Sequence, residues 1–223
     1  MAHSGIEVLF QGKNFLRLMG GLWIAGVSLG FGLLLGTFLG VWRTLKNAVL
    51  RVVLCLYLEF FRIVPTIVLL FLVYYILPRQ FHVEASAEWM AVLAFSLWIS
   101  AEFSDIVRGA MESVPKHQRE AGLALGLTKG QLFVHVLMSQ AFMLELPAAI
   151  NLATRVVKTT SLLMIISVMD VINVGQQIIE ANNQQYPSGV FWIYGFIFML
   201  YFIVDYPLSL ISKMLQQKFS ANL

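Results

Sequence analysis

The sequence predicts an all-α membrane protein built on five transmembrane helices. Two observations carry this. Of 223 residues, 59% are hydrophobic and 12% charged, against roughly 25% charged in ordinary soluble domains. The apolar residues also gather into five runs, each near the ~20 residues needed to cross a bilayer.

The runs span about Leu18 to Val41, Ala48 to Leu77, Trp89 to Arg108, Val136 to Leu163 and Val190 to Ile211. Pro65 interrupts the second, and the charged stretch Arg155 to Lys158 interrupts the fourth, which Leu162 to Val168 prolongs. Residues 1–12 are set aside as an expression tag, because Glu7 to Gly12 reads as an engineered protease site. No cleavable signal peptide is visible. Without internal repeats or low-complexity stretches, residues 13–223 are read as a single membrane domain.

Lysine and arginine set the orientation. One set of connections holds Arg43, Lys46 and Arg51, then Lys116, Arg119 and Lys129, then Lys213 and Lys218. The other holds Arg79 with Glu84, Asp170 and Glu180. The first set is expected in the cytoplasm, with the N-terminus outside and the C-terminus inside. The longest cytoplasmic connection, about 109–135, is too polar for lipid, yet Leu123, Leu125 and Leu127 interleave with small residues. It reads as short helices at the membrane surface.

Several chemistries are missing their parts. The lone cysteine, Cys55, has no thiol partner. His82, His117 and His135 follow no metal-ligand spacing. There is no Gly-x-x-x-x-Gly-Lys-Ser/Thr phosphate loop, so ATP is not hydrolysed by this chain.

The most specific signal lies in the polar connection. Glu120, Ala121 and Gly122 are followed by Gly126, and ten residues on come Val136 and Met138-Ser139-Gln140-Ala141; Ser113-Val114-Pro115 and Gln118 precede them. This resembles the coupling loop of bacterial ABC importer permeases, whose pattern is Glu-Ala-Ala, three residues, Gly, nine residues, Ile-x-Leu-Pro. Gly122 replaces the second alanine, Val136 the isoleucine, Met138 the leucine and Ser139 the proline. Gly126 permits a helix end at positive φ, Thr128 can cap the next helix, and Ala121 and Gly122 permit close packing. The plain alternative is an amphipathic surface helix without a partner.

Two more segments resemble the polar amino-acid branch of that family. Phe61-Arg62-Ile63-Val64-Pro65-Thr66, continuing to Phe71 and Tyr74-Tyr75-Ile76-Leu77-Pro78, is similar to its Phe-Arg-Gly-Thr-Pro signature. Leu146-Pro147, Asn151 and Lys158-Thr159-Thr160-Ser161-Leu162 are similar to its Leu-Pro…Asn…Lys-x-Thr-Ser-Leu run. The resemblance implies the type I ABC importer permease fold. It also implies a coupling surface at Gln118, Glu120, Ala121, Gly122 and Gly126, and a substrate pathway near Arg62, Pro65, Thr66, Glu102, Asn151, Arg155, Lys158, Thr160 and Ser161.

Implied partners are a dimer of cytoplasmic ATP-binding subunits carrying ATP and Mg, a second permease chain (identical or homologous), an extracytoplasmic substrate-binding protein and the inner-membrane bilayer. No cofactor is expected on this chain, and no nucleic acid. The implied cargo is a polar amino acid.

Arg155 and Lys158 share a helical face inside an apolar span, where charges usually face a cavity or a partner. They either pair with Glu145 or Glu102, or hold substrate carboxylates; the second use favours acidic or amide side chains. Asp105 and Arg108 read as a local i,i+3 ion pair. Ser28, Gly32, Gly36 and Gly40 recur every four residues and read as close helix packing. An ion-coupled transporter using Glu102, Glu145, Arg155 and Lys158 as a relay, and a non-transporting scaffold, remain alternatives.

Overall fold

The computed structural model describes residues 19–45, 47–82, 84–182 and 189–220, with the side chains of Asn182 and Ser220 excepted. The tag, Leu18 and Lys46 therefore lie outside the described residues. Every regular element described is helical.

Helix α1 covers Gly20–Arg43 and α2 Ala48–Ile63. Asn47 caps α2 by accepting a hydrogen bond from the Leu50 amide at 3.1 Å. Proline at 65 drives the preceding residue out of the helical region, and Val64 is extended at φ −72°, ψ 121°. The chain restarts as α3 (Thr66–Phe71), a π-helical turn (Leu72–Ile76) and α4 (Leu77–Phe81). The two halves of the second span meet at 104°. Pro65 therefore ends one helix, and the next begins at Thr66.

Helix α5 runs Ala87–Ser113, past the predicted end at Arg108. Helix α6 (Lys116–Ala124) follows, then α7 (Lys129–Leu132), a π turn (Phe133–Met138), α8 (Ser139–Thr159) and a 3-10 helix (Thr160–Ile166). Residues 109–113 and 129–135 therefore belong to the ends of flanking helices, and the surface element is shorter than the polar stretch. Nor is the fourth span broken at Arg155 to Lys158. Both cations lie on an exposed face while Leu152, Val156 and Val157 are buried, so the helix passes through without burying charge. Two further helices, α9 (Val171–Asn182) and α10 (Gly189–Ser220), complete the chain. Among the described residues, four helices can each cross a membrane by length and apolarity, five when the bent pair counts as one span.

Two compact units emerge, each assembled from three separate stretches. The first takes the described residues up to Leu29, with Thr66–Phe95 and Ala153–Pro207. Its core includes Val174 and Ile178 of α9 against Ile193 and Ile197 of α10. Trp23 meets Trp89 edge-on at 5.8 Å between ring centroids.

The second unit takes Gly30–Pro65, Ser96–Leu152 and Leu208 onward. There the glycine stripe of α1 lies on α5. A Cβ at Gly32 would stand 2.5 Å from Ile99 Cγ2, one at Gly36 2.9 Å from Phe103 Cβ, and one at Gly40 2.6 Å from Val107 Cβ. Tyr57 of α2 joins the same face, its hydroxyl donating to the Leu97 carbonyl at 2.9 Å and sitting 2.7 Å from Ser100 Oγ. Elsewhere large apolar side chains stand open, Leu34 at 74% and Phe191 at 77% exposure. Lipid or another apolar surface must cover them, since water would not.

Candidate functional site

The surface element that carries the Glu120-to-Gly126 motif is held by local bonds. Helix α6 ends in paired hydrogen bonds, Leu127 N–H to the Gly122 carbonyl at 3.1 Å and Gly126 N–H to the Leu123 carbonyl at 3.0 Å. That is the terminal pattern requiring a left-handed residue, and Gly126 sits at φ +80°. Two residues on, Thr128 caps α7 reciprocally with Gln131: its hydroxyl accepts from the Gln131 amide at 3.3 Å, and Gln131 Oε1 accepts from the Thr128 amide at 3.0 Å.

Packing then decides which motif residues remain available. Gly122 is buried, and a Cβ there would meet Leu132 Cδ1 at 2.5 Å. Glu120 and Ala121 are exposed, as are Leu123 (50%) and Leu125 (84%). A carboxylate and two leucines on a short capped helix make a face suited to seating in a partner's groove. Gln118 ties this helix to α8 through a side-chain hydrogen bond with Gln140. Arg119 Nη2 ties it to α5 by donating to the Met111 carbonyl at 2.8 Å. Neither Arg119 nor Gln140 stands out in the sequence as a positioning residue, because the bonds depend on where the flanking spans arrive.

A second cluster joins α1, α2 and α5. Asp105 Oδ1 lies 3.1 Å from Arg43 Nη1 and 3.1 Å from Arg108 Nη2, and its Oδ2 lies 2.7 Å from Arg62 Nη2. Arg108 also reaches Glu112 at 2.7 Å, and Arg62 Nε lies 3.9 Å from Glu102. The expected Asp105–Arg108 pair is present, but Asp105 serves three arginines. Arg62 stands beside the bend at Pro65 with its guanidinium engaged by acids of α5. That is a structural use, whatever else it does.

Along α8, Asn151, Arg155 and Lys158 recur at i, i+4 and i+7, and all three are exposed. Thr160 is buried and donates to the Val157 carbonyl at 2.7 Å; Ser161 and Thr66 are half-buried and Pro65 exposed. Lys158 lies within Coulombic reach of Asp205 on α10. Glu145 is 9% exposed within α8. Asp205, an acid four residues after Tyr201 in an apolar span, is buried at 8% exposure and is the charge that sequence pattern alone does not single out. Asp170 lies in the expected connection, before α9, but is buried at 1% exposure.

Comparison with known proteins bears on this arrangement. Residues 32–220 match the family model described as the binding-protein-dependent transport system inner membrane component. The chain is 32% identical to the L-cystine transport system permease protein of Bacillus subtilis (strain 168), over 86% of this chain and 80% of that one. It is 30% identical to the glutamine transport system permease protein of Escherichia coli (strain K12), over 96% and 93%. The solved structure described as an amino acid ABC transporter with histidines superimposes with TM-score 0.83 at 23% identity, covering 98% of this chain and 99% of its own. At that identity the likeness speaks for the fold. Taken with the capped surface helix and the apolar spans, these matches mean that the chain belongs to the family of binding-protein-dependent transport system inner membrane components, the membrane-embedded permease subunits of ABC importers.

Proposed function

We propose that this permease carries polar amino acids inward across a bacterial inner membrane, with a leaning toward acidic or amide side chains. Two permease chains, identical or homologous, enclose the pathway. A dimer of cytoplasmic ATPases, which bind the ATP and Mg, grips residues 115–130 of each, and an extracytoplasmic binding protein delivers the cargo. Closure of the ATPases draws the α6 helices together and rocks the spans between inward- and outward-facing states. ATP supplies the shift, because cargo can bias the two states only by its differential affinity for them. Support for the ATPase contact comes chiefly from the exposed Glu120-Ala121 and Leu123-Leu125 face on a helix immobilised at both ends.

The leaning in substrate rests on Arg155 and Lys158, two cations on an exposed helical face, and on relatives named for glutamine and cystine transport. Family membership leaves the ion-coupled and scaffold readings without support. Substrate-stimulated ATP hydrolysis by the reconstituted importer, screened over the amino acids with the binding protein present, tests the proposal. Stimulation by glutamine, glutamate or a similar side chain is expected. Stimulation confined to lysine and arginine would overturn the leaning, and no stimulation by any amino acid would overturn the substrate class. In Arg155→Ser, uptake of the native substrate should fall with assembly and basal hydrolysis intact.

A further inference from the structure

On either side of α6 the regular helical bonding lapses. Upstream, α5 stops at Ser113 and the chain reaches α6 through Val114 and Pro115, with Pro115 extended at φ −58°, ψ 141°. Downstream, α7 runs into the π turn Phe133–Met138 before α8 begins at Ser139, a widened turn whose bonds leave the α-helical register. A push on α6 would be taken up at these two joints unless something spans them.

Two side chains of α6 span them. Arg119 Nη2 reaches back over the Pro115 corner and donates to the Met111 carbonyl at 2.8 Å. That carbonyl is among the last four of α5, which lack helical partners. Gln118 reaches over the π turn, its Oε1 accepting from Gln140 Nε2 in the first turn of α8. Both contacts are dry. Arg119 Nε and Gln140 Oε1 are buried, with no hydrogen-bond partner among the described residues, so a bond lost there strands its other half without water to replace it.

The two faces of α6 therefore differ in use. Lys116, His117, Glu120 and Ala121 are exposed, whereas Gln118 and Arg119 are half-buried and bonded to the flanking spans. We propose that Gln118 and Arg119 are positioning residues of the transport cycle, and that Gln118 is not a contact to the ATPase. The Arg119–Met111 bond carries movement of α6 into α5, and the Gln118–Gln140 bond carries it into α8. The movement rests on the function proposed above; the two braces do not.

An amide brace needs one donor and one acceptor. Gln118→Glu keeps the acceptor, while Gln118→Met keeps the length of the side chain and removes it. The test uses the intact importer in proteoliposomes, with amino-acid uptake and ATP hydrolysis measured on the same sample. Uptake per ATP hydrolysed is expected to fall roughly tenfold in Gln118→Met, Gln140→Met and Arg119→Met, each of which strands a buried group. The ATPase should stay bound, and KM for the amino acid should not change. Gln118→Glu should remain close to the native ratio. The double variant Gln118→Met with Gln140→Met should be no worse than either single one, since the two residues share one bond.

A native ratio in the methionine variants, or an equal loss in Gln118→Glu and Gln118→Met, would overturn the proposal. Release of the ATPase by Gln118→Met would overturn it too, by making Gln118 an ATPase contact. A second measurement is independent of the ATPase. With Cys55 replaced, spin labels at His117→Cys and Phe142→Cys, both exposed positions, report how firmly α6 is held to α8. Their distance distribution should widen in Gln118→Met, and an unchanged width would overturn the brace. A native chain that binds no ATPase, with the labels responding as expected, would sink the proposed function and leave the braces standing.

Discussion

Gly40 of α1 approaches Val107 of α5 so closely that a Cβ built on it would stand 2.6 Å from the valine Cβ and 2.8 Å from the Ser104 carbonyl oxygen. Val107 is 2% exposed and fixed in its helix, so neither side can yield cheaply. Gly40→Leu is expected to part the two helices, at about 3 kcal/mol or more given typical overpacking penalties. Loss of monodisperse, folded protein after detergent extraction is the readout. A variant that extracts and melts like the native chain would show that α1 is free to shift.

Asp105 holds Arg43, Arg62 and Arg108 within 3.1 Å. Asp105→Asn keeps the size but leaves three guanidiniums without their shared anion. Removing one partner of a fully buried pair costs ~3–5 kcal/mol. Asp105 is 25% exposed, so solvent screening lowers the expected loss to about 2 kcal/mol. Double-mutant cycles with Arg43→Gln and Arg62→Gln apportion it, and the Arg43 coupling should be the larger because Arg43 is 8% exposed against 42% for Arg62.

A β-branched residue tolerates positive φ poorly, and Gly126 sits at φ +80° with open space around its Cβ position. The strain of Gly126→Val is thus purely of the backbone, on the order of 1–3 kcal/mol, and local to the end of α6. The membrane spans should fold normally while the ATPase dissociates or hydrolyses without transport. Co-purification and coupled uptake assays decide this; normal retention with normal transport would show that the helix end is not part of the coupling.

Orientation is accessible to cysteine labelling after replacing Cys55. Lys116→Cys should react with an impermeant reagent only from the cytoplasmic side, and Glu84→Cys only from the opposite side. The asymmetry of lysine and arginine predicts this, and labelling of Lys116→Cys in intact cells would reverse the topology.

Asp170, in the turn that follows the fourth span, has a pH signature. Burial raises its folded value from 3.8 to about 6, so between those values the folded chain binds more protons than the unfolded one. Stability then falls as pH rises through that window, by on the order of 2 kcal/mol. Thermal unfolding at pH 4 and pH 7 should differ more in the native chain than in Asp170→Asn. Equal pH dependence in the two would place the titration elsewhere.

The sequence by itself determined what local rules control. Apolar run length specified the spans, because the bilayer sets that length. Gly126 and Thr128 announced the end of one surface helix and the start of the next, because caps involve residues a few positions apart. The four-residue recurrence of Gly32, Gly36 and Gly40 declared a close-packed face, though not that Ile99, Phe103 and Val107 would fill it.

Tertiary structure decided everything that depends on distant residues meeting. Asp105 takes Arg43 and Arg62 from 62 and 43 positions away, a preference that no spacing rule contains. Charges at Arg155 and Lys158 looked like a break in the fourth span, but a helix can keep its hydrogen bonds while turning them outward. Asp170 is the converse case: a polar residue in a short turn, whose burial arises because Gly21, Thr160 and Tyr201 converge on it from three separate stretches of chain.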